Sequence, residues 1–156
     1  GLCFIYEPRI FSRNASAPSL AATSNPALAT APAGPSTTLL ECKSFFVVGV
    51  TYRAPMYLAT SLSRSVAERF MRDGSADEHC LWIILMDRDV DMYNASLVQK
   101  THFAGEQEYL FTPYSVFTVV AVNWRAGTTA APHEITLRAS PDNRRESETL
   151  PTAPWA

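Results

Sequence analysis

The chain has 156 residues and a formal net charge of -2. This length fits one domain with a sizeable core and leaves little room for a second. The near-neutral balance gives no basic footprint for nucleic acid or for an anionic membrane surface. No apolar run approaches the roughly 20 residues needed to span a bilayer. We therefore predict no nucleic-acid partner and no transmembrane segment.

The three cysteines argue against a metal site and against a disulfide framework. Cys3, Cys42 and Cys80 have no CxxC spacing, and only Cys80 has a histidine beside it. The odd count permits one bridge and one free thiol, or three buried thiols. We favour three buried thiols.

Composition divides the chain into four segments. The first residue is Gly1 rather than Met, so we expect either a processed chain or a fragment, and we favour the fragment. Residues 1–12 form a short N-terminal segment. Residues 13–38 are dominated by Ala, Ser, Thr and Pro without an aromatic residue, which predicts a linker or a long surface insertion. The predicted domain is 39–143, and a polar tail follows at 144–156.

Hydrophobic patterning within the domain predicts a β-dominated α+β fold with one clear helix. The helix is expected because Val66, Ala67, Phe70 and Met71 fall on one face, with Ser61, Ser63 or Ser65 as its cap. Pro113 predicts an edge, a bulge or a turn. The predicted strands are 45–53, 56–60, 80–86, 106–111, 116–124 and 133–139, and the predicted helix is 63–72.

Glu106 and Glu108 form the most informative pair in the sequence. On an extended backbone, residues at i and i+2 share a face with Cα atoms roughly 7 Å apart. Two like charges so placed cost stability unless a ligand uses them. Paired carboxylates suit acid/base chemistry or stabilisation of an oxocarbenium-like centre. The alternative is a solvated strand face.

Two segments carry a resemblance to a known family. The first runs from residue 105 to residue 117 and reads Gly-Glu-Gln-Glu-Tyr-Leu-Phe-Thr-Pro-Tyr-Ser-Val-Phe. The second runs from residue 57 to residue 70 and reads Tyr-Leu-Ala-Thr-Ser-Leu-Ser-Arg-Ser-Val-Ala-Glu-Arg-Phe. Together they resemble the catalytic strand and the serine motif of the arginine–serine–glutamate class of mono-ADP-ribosyltransferases, which includes vertebrate ecto-enzymes and bacterial toxins. The resemblance covers roughly residues 42 to 143.

The resemblance implies an ADP-ribosyltransferase-like split sheet core, with the clear helix after the serine motif. It implies transfer of ADP-ribose from NAD to an arginine of a protein acceptor, with release of nicotinamide. NAD is then a substrate, and no metal is needed. Glu108 would stabilise the oxocarbenium ion that forms as nicotinamide leaves. Glu106 would orient the acceptor and help to remove its proton.

The resemblance also implies positions for cofactor and acceptor binding. Thr60, Ser61 and Ser63 would contact NAD, although Ser61 alone is also explained as a plain helix cap. Phe103 matches an aromatic residue on the loop that meets the target protein. A loop anchor packed on the core is the alternative for Phe103.

Two departures from the family pattern leave other functions open. Ala59 replaces the first serine of the motif, and alanine cannot hydrogen-bond. The family's phosphate-binding arginine has no clear match, because Arg53 lies too close to the serine motif and the surroundings of Arg9 match poorly. An N-terminally incomplete chain would account for the second departure. The alternatives are an impaired relative that binds NAD or a protein, and an NAD glycohydrolase.

Overall fold

The computed structural model describes residues 43–73, 78–87, 93–98 and 108–153, together with the backbone of residues 2–9. In this part of the chain, eight strands form one hydrogen-bonded sheet, and a helix packs on one of its faces. The elements are β1 Leu2–Arg9, β2 Thr51–Ala54, β3 Leu58–Ser61, α1 Arg64–Asp73, β4 Cys80–Asp87, β5 Ala95–Leu97, β6 Glu108–Phe111, β7 Ser115–Asn123 and β8 His133–Ala139.

The order of strands across the sheet is β2-β7-β8-β4-β1-β3-β6-β5. β1 runs parallel to both of its neighbours, β4 and β3. Eight register pairs join β1 to β4, whereas among the described residues one pair, Ile5 with Ser61, joins β1 to β3. The sheet therefore divides there into a five-stranded half, β2 to β1, and a three-stranded antiparallel half, β3-β6-β5. The predicted β-dominated, split-sheet α+β fold is confirmed.

The main core lies on one face of the sheet and is rich in aromatic side chains. Trp82 on β4 is fully buried, and its ring lies 5.1 Å from that of Phe46. Tyr52, Phe111 and Phe117 are also fully buried there. Edge-to-face ring contacts of this kind stabilise a core beyond the area that they bury.

The helix α1 covers the other face of β4. Its buried residues, Ala67 and Met71, pack on Leu81. Because both faces of β4 are covered, nearly all of its side chains must be apolar. The uninterrupted apolar run in the sequence therefore predicted this strand correctly. The helix begins at Arg64, so Ser63 is the residue that precedes it, and a cap at Ser65 is wrong.

The first predicted strand is too long at its N-terminal end. Within 45–53 the strand begins only at Thr51, because the preceding residues form a turn in which the N–H of Val50 donates to the carbonyl of Val47 at 3.0 Å. Gly49 makes this turn possible with a φ of 91°. The turn at Pro113 is confirmed, and β7 and β8 pair as an antiparallel hairpin. Residues 106 and 107 of the predicted acidic strand lie outside the described residues.

The sheet takes in residues on both sides of the predicted domain limits. β1 lies within the sheet, between β4 and β3. Near the other end, Thr152 forms a β-bridge with Arg53, and Ala153 is buried in the main core. The linker predicted at 13–38 lies outside the described residues, as does Cys42. Cys80 is partly buried.

Candidate active site

The pairing of β3 with β6 places Ser61 directly opposite Glu108. Opposite residues of an antiparallel pair share a face of the sheet, with Cβ atoms about 4.5–5.5 Å apart. Ser61 is only 6% exposed, and Glu108 is half-buried. The structure thus brings the second serine of the predicted motif beside the predicted catalytic carboxylate.

Thr60 lies on the other face of β3. Its hydroxyl donates a hydrogen bond of 2.6 Å to the carbonyl of Tyr109, and its side chain is buried. This bond fastens β3 to β6 and holds the register that puts Ser61 beside Glu108. The structure does not bring the Thr60 side chain to the face of Glu108.

Ser63 connects the serine motif to α1. Its N–H donates to Ser61 Oγ at 3.0 Å, and its carbonyl accepts from the N–H of Ala67 at 3.1 Å. The hydroxyls of Ser63 and Ser65 are 3.0 Å apart. The Ser61 side chain and the first turn of the helix are therefore one hydrogen-bonded unit.

Ala59 shares the face of Ser61 but lies two residues earlier on β3, where its register partner is Leu110. The alanine is exposed. The missing hydroxyl is therefore not the one directly opposite Glu108, a distinction that the sequence motif alone does not make.

Two predicted site residues, Glu106 and Phe103, lie outside the described residues. The described strand β6 begins at Glu108, whose carbonyl accepts a hydrogen bond of 2.9 Å from the N–H of Val98. This bond extends the contact between β5 and β6 to the level of Glu108. It fixes the backbone from which the Glu108 carboxylate projects.

The structure separates the two arginines that the sequence offered for phosphate binding. Arg53 lies on the edge strand β2, separated from β3 by four other strands. Arg9 ends β1, the strand beside β3, at the register position of Asp87. Since β1 and β3 are parallel, Arg9 lies beyond Ser61 at the end of the sheet toward which β3 runs.

The Arg53 side chain has a structural role at its edge of the sheet. It lines an open surface depression of about 460 Å³. Its guanidinium group donates to the carbonyls of Tyr114, Asn143, Glu146 and Ser147 at 3.0–3.3 Å. Arg53 therefore holds the C-terminal segment and is not a residue of the Glu108 site.

Sequence reasoning missed an ionic cluster on the same side of the sheet as α1. Glu134 on β8 contacts Arg64 and Arg125, each at 3.0 Å. Arg64 also pairs with Glu68 at 2.8 Å. The hydrogen bond to Glu68, followed by that to Glu134, raises the pKa of Arg64 despite the lowering effect of burial. The i,i+4 spacing of Arg64 and Glu68 was the only signal in the sequence.

Comparisons with known proteins identify the fold. No family model and no curated protein matches the chain. The Vis toxin, an ADP-ribosyltransferase from Vibrio splendidus, matches with 16% identity and a TM-score of 0.50. Vis in complex with the M6 inhibitor matches with 15% identity and a TM-score of 0.53, and Vis in complex with agmatine with 16% and 0.51.

Each of these matches covers 71% of this chain and 46% of the Vis chain. The chain thus spans about half the length of the solved structures that it resembles. At this identity the likeness shows the fold, which is that of an ADP-ribosyltransferase.

The described residues include neither a grouping of metal ligands nor a membrane-spanning helix. Among them, no three His, Cys, Asp or Glu side chains come together in a way that could hold a metal ion. No helix in the described part is long and apolar enough to cross a membrane.

Proposed function

We propose that this chain transfers ADP-ribose from NAD to an arginine side chain of a protein acceptor and releases nicotinamide. The observation that carries the proposal is the position of Glu108, which lies opposite Ser61 in a chain with an ADP-ribosyltransferase fold. The sequence motifs around both residues support the same activity.

Glu108 is the group that stabilises the charge formed in the reaction. The bond between the nicotinamide nitrogen and the ribose carbon breaks, and nicotinamide leaves with the bonding electrons. Positive charge then develops on the ribose, and a carboxylate fixed beside it lowers the barrier because the charge exists only in the transition state. A guanidinium nitrogen of the acceptor forms the new bond to the ribose carbon and loses its proton.

Glu106 and Phe103 are proposed to serve the acceptor. Glu106 would bind the guanidinium group and accept its proton, since carboxylates make strong charge-assisted hydrogen bonds to guanidinium groups. Phe103 would contact the target protein. The complex of Vis with agmatine supports an arginine acceptor, because agmatine carries the guanidinium group of arginine.

Ser61, Ser63 and Arg9 are proposed to hold NAD. Ser61 and Ser63 form the hydrogen-bonded turn beside Glu108. The backbone of Arg9 ends the strand next to β3, at the end of the sheet where α1 begins, and arginine is a residue type whose fork of donors suits a diphosphate. Thr60 would support this site by holding β3 to β6.

The decisive test is Glu108→Gln, which keeps the size of the side chain and removes its charge. We expect nicotinamide release and label transfer from NAD to agmatine to fall by about 10²–10³-fold. Glu148→Gln is the matched control, because Glu148 is exposed and lines the depression at Arg53, on the opposite half of the sheet. Equal activity of the two variants would overturn the role of Glu108.

A second candidate, which the departure from the serine motif at Ala59 leaves open, is an impaired relative that binds NAD without cleaving it. This alternative predicts saturable NAD binding without nicotinamide release by the unmodified chain. Release of nicotinamide without labelling of agmatine or protein would instead identify an NAD glycohydrolase. Either result would overturn the proposed transferase.

A further inference from the structure

Glu134 joins three separate parts of the chain through one carboxylate. Its Oε1 accepts a hydrogen bond from Arg64 at the start of α1, and its Oε2 forms an ion pair with Arg125 after β7, both at 3.0 Å. The Asn123 amide is oriented with its oxygen toward the Arg125 guanidinium group, so that Oδ1 accepts from Arg125 Nε at 3.0 Å. These contacts hold the Glu134 carboxylate and the Arg125 guanidinium group in place on the sheet.

The position of Arg64 requires an explanation, because a cation at a helix N-terminus opposes the helix dipole. Arg64 is the first residue of α1, and the first turn of the helix contains no acidic residue. Glu68 and Glu134 offset this cost by each taking one side of the guanidinium group. Glu134 is the partner that belongs to the sheet, so this contact anchors the start of the helix to β8.

The first turn of α1, which this contact anchors, is hydrogen-bonded to the residue opposite Glu108. Arg64 follows Ser63, whose N–H is bonded to Ser61 Oγ and whose carbonyl is bonded to Ala67. Ser61 in turn lies opposite Glu108. A continuous series of contacts therefore runs from Glu134 through Arg64 and the Ser63 backbone to the hydroxyl beside the proposed catalytic carboxylate.

We propose that Glu134 is a positioning residue, which acts through Arg64 to fix the first turn of α1 and with it the Ser61 hydroxyl. Its catalytic consequence rests on the proposed function. Both ion pairs are open to solvent on the arginine side, where Arg64 is 46% exposed and Arg125 is 43% exposed, although Glu134 is only 18% exposed, so we expect the contact to add little to global stability. We therefore expect the effect of losing Glu134 to be local to the site.

The experiment combines Glu134→Gln with Ser61→Ala in a double-mutant cycle. For Glu134→Gln we expect kcat/KM for NAD to fall about tenfold, since small errors of placement are costly in catalysis. The melting temperature should stay within about 2 °C of that of the unmodified chain. In the Ser61→Ala background the same change should have less than a twofold effect, because the hydroxyl through which it acts is gone. Glu148→Gln is again the control.

A merely structural role would give the same loss with and without Ser61, and that result would overturn the proposal. Amide hydrogen exchange provides a readout that does not need activity. Glu134→Gln should speed exchange at the N–H groups of Ser63 and Ala67 at least tenfold, and unchanged exchange there would overturn the proposal even if the chain proved inactive. Inactivity with faster exchange would instead overturn the proposed function and leave the positioning contact established.

Discussion

At the scale of single residues, the site depends on which serine lies opposite Glu108. The register assigns this place to Ser61, while Ala59 lies two residues away on an exposed part of the strand. Ser61→Ala should therefore lower kcat/KM for NAD by about 10–100-fold through poorer placement of the reacting groups. Ala59→Ser should change it less than threefold, as measured by nicotinamide release. A larger effect at residue 59 would show that the family's first serine position controls the site.

The burial of Tyr52 affects the stability of the fold at alkaline pH. Burial, followed by the charge of Cys80, raises the pKa of Tyr52 well above 10.0. In the unfolded chain a tyrosine ionises near pH 10, so the unfolded state binds fewer protons than the folded state above that pH. The stability from the buried, neutral phenol is complete below pH 10 and is lost as the pH rises toward the folded pKa.

The measurement compares melting temperatures at pH 8 and pH 11. Tyr52→Phe should reduce the alkaline loss, whereas Tyr57→Phe should not, because Tyr57 is 62% exposed. An equal loss in all three proteins would show that another group controls alkaline unfolding.

At the scale of elements, the connection between β7 and β8 is built around a buried histidine. His133 is 3% exposed, and its Nδ1 accepts from the N–H of Arg125 at 3.0 Å. Nε2 of the neutral ring must then carry the proton, and it lies 3.2 Å from Glu78. Gly127 packs so closely that an added Cβ would lie 2.9 Å from His133 Nε2. The ring therefore leaves no room for a side chain at residue 127.

Gly127→Ala should destabilise the fold by about 2–4 kcal/mol, through its φ of 71° and the contact with His133. Gly49→Ala is a matched control, because Gly49 has a φ of 91° and open space around its Cβ position. That variant should cost only about 1 kcal/mol. Urea denaturation measures both changes, and equal costs would mean that the contact with His133 is relieved without loss.

Some elements were predictable because their local pattern decides their structure. The apolar run of β4 and the alternation of β7 and β8 gave strands close to those observed. The strand predicted at 45–53 is wrong over residues 45–50, because the turn at Gly49 interrupts a run of residues that favour strands. The place of β1 in the sheet could not be predicted, since the pairing of distant parallel strands is a property of the whole fold.

The same distinction applies to the candidate site. Glu108 and Ser61 were found from local motifs, and the structure brings them together. The contact between Glu134 and Arg64 joins residues 70 positions apart. No local pattern contains such a pair, so only the folded chain reveals it.

At the scale of the whole molecule, Arg53 fastens the C-terminal segment to the sheet. The carbonyls that accept from its guanidinium group include those of Asn143, Glu146 and Ser147, and its own backbone bridges to Thr152. Arg53→Met keeps most of the apolar stem and removes these donors. We expect a loss of about 1–3 kcal/mol in the free energy of unfolding.

Limited proteolysis provides a second measurement of this attachment. Cleavage near residues 144–150 should become faster in Arg53→Met, whereas Arg144→Met should behave as the unmodified chain because Arg144 is exposed. Resistance equal to that of the control would show that the Ala153 contact in the core is sufficient by itself.

The joint between β1 and β3 has a mechanical consequence. The two halves of the sheet share one described register pair, whereas each half is held internally by longer ladders. We expect this junction to bend at less cost than the longer ladders around it, because fewer backbone hydrogen bonds must be distorted. Glu108 and Ser61 lie on the smaller half and Arg9 on the larger. A dinucleotide that contacts both halves of the sheet would therefore fix the angle between them.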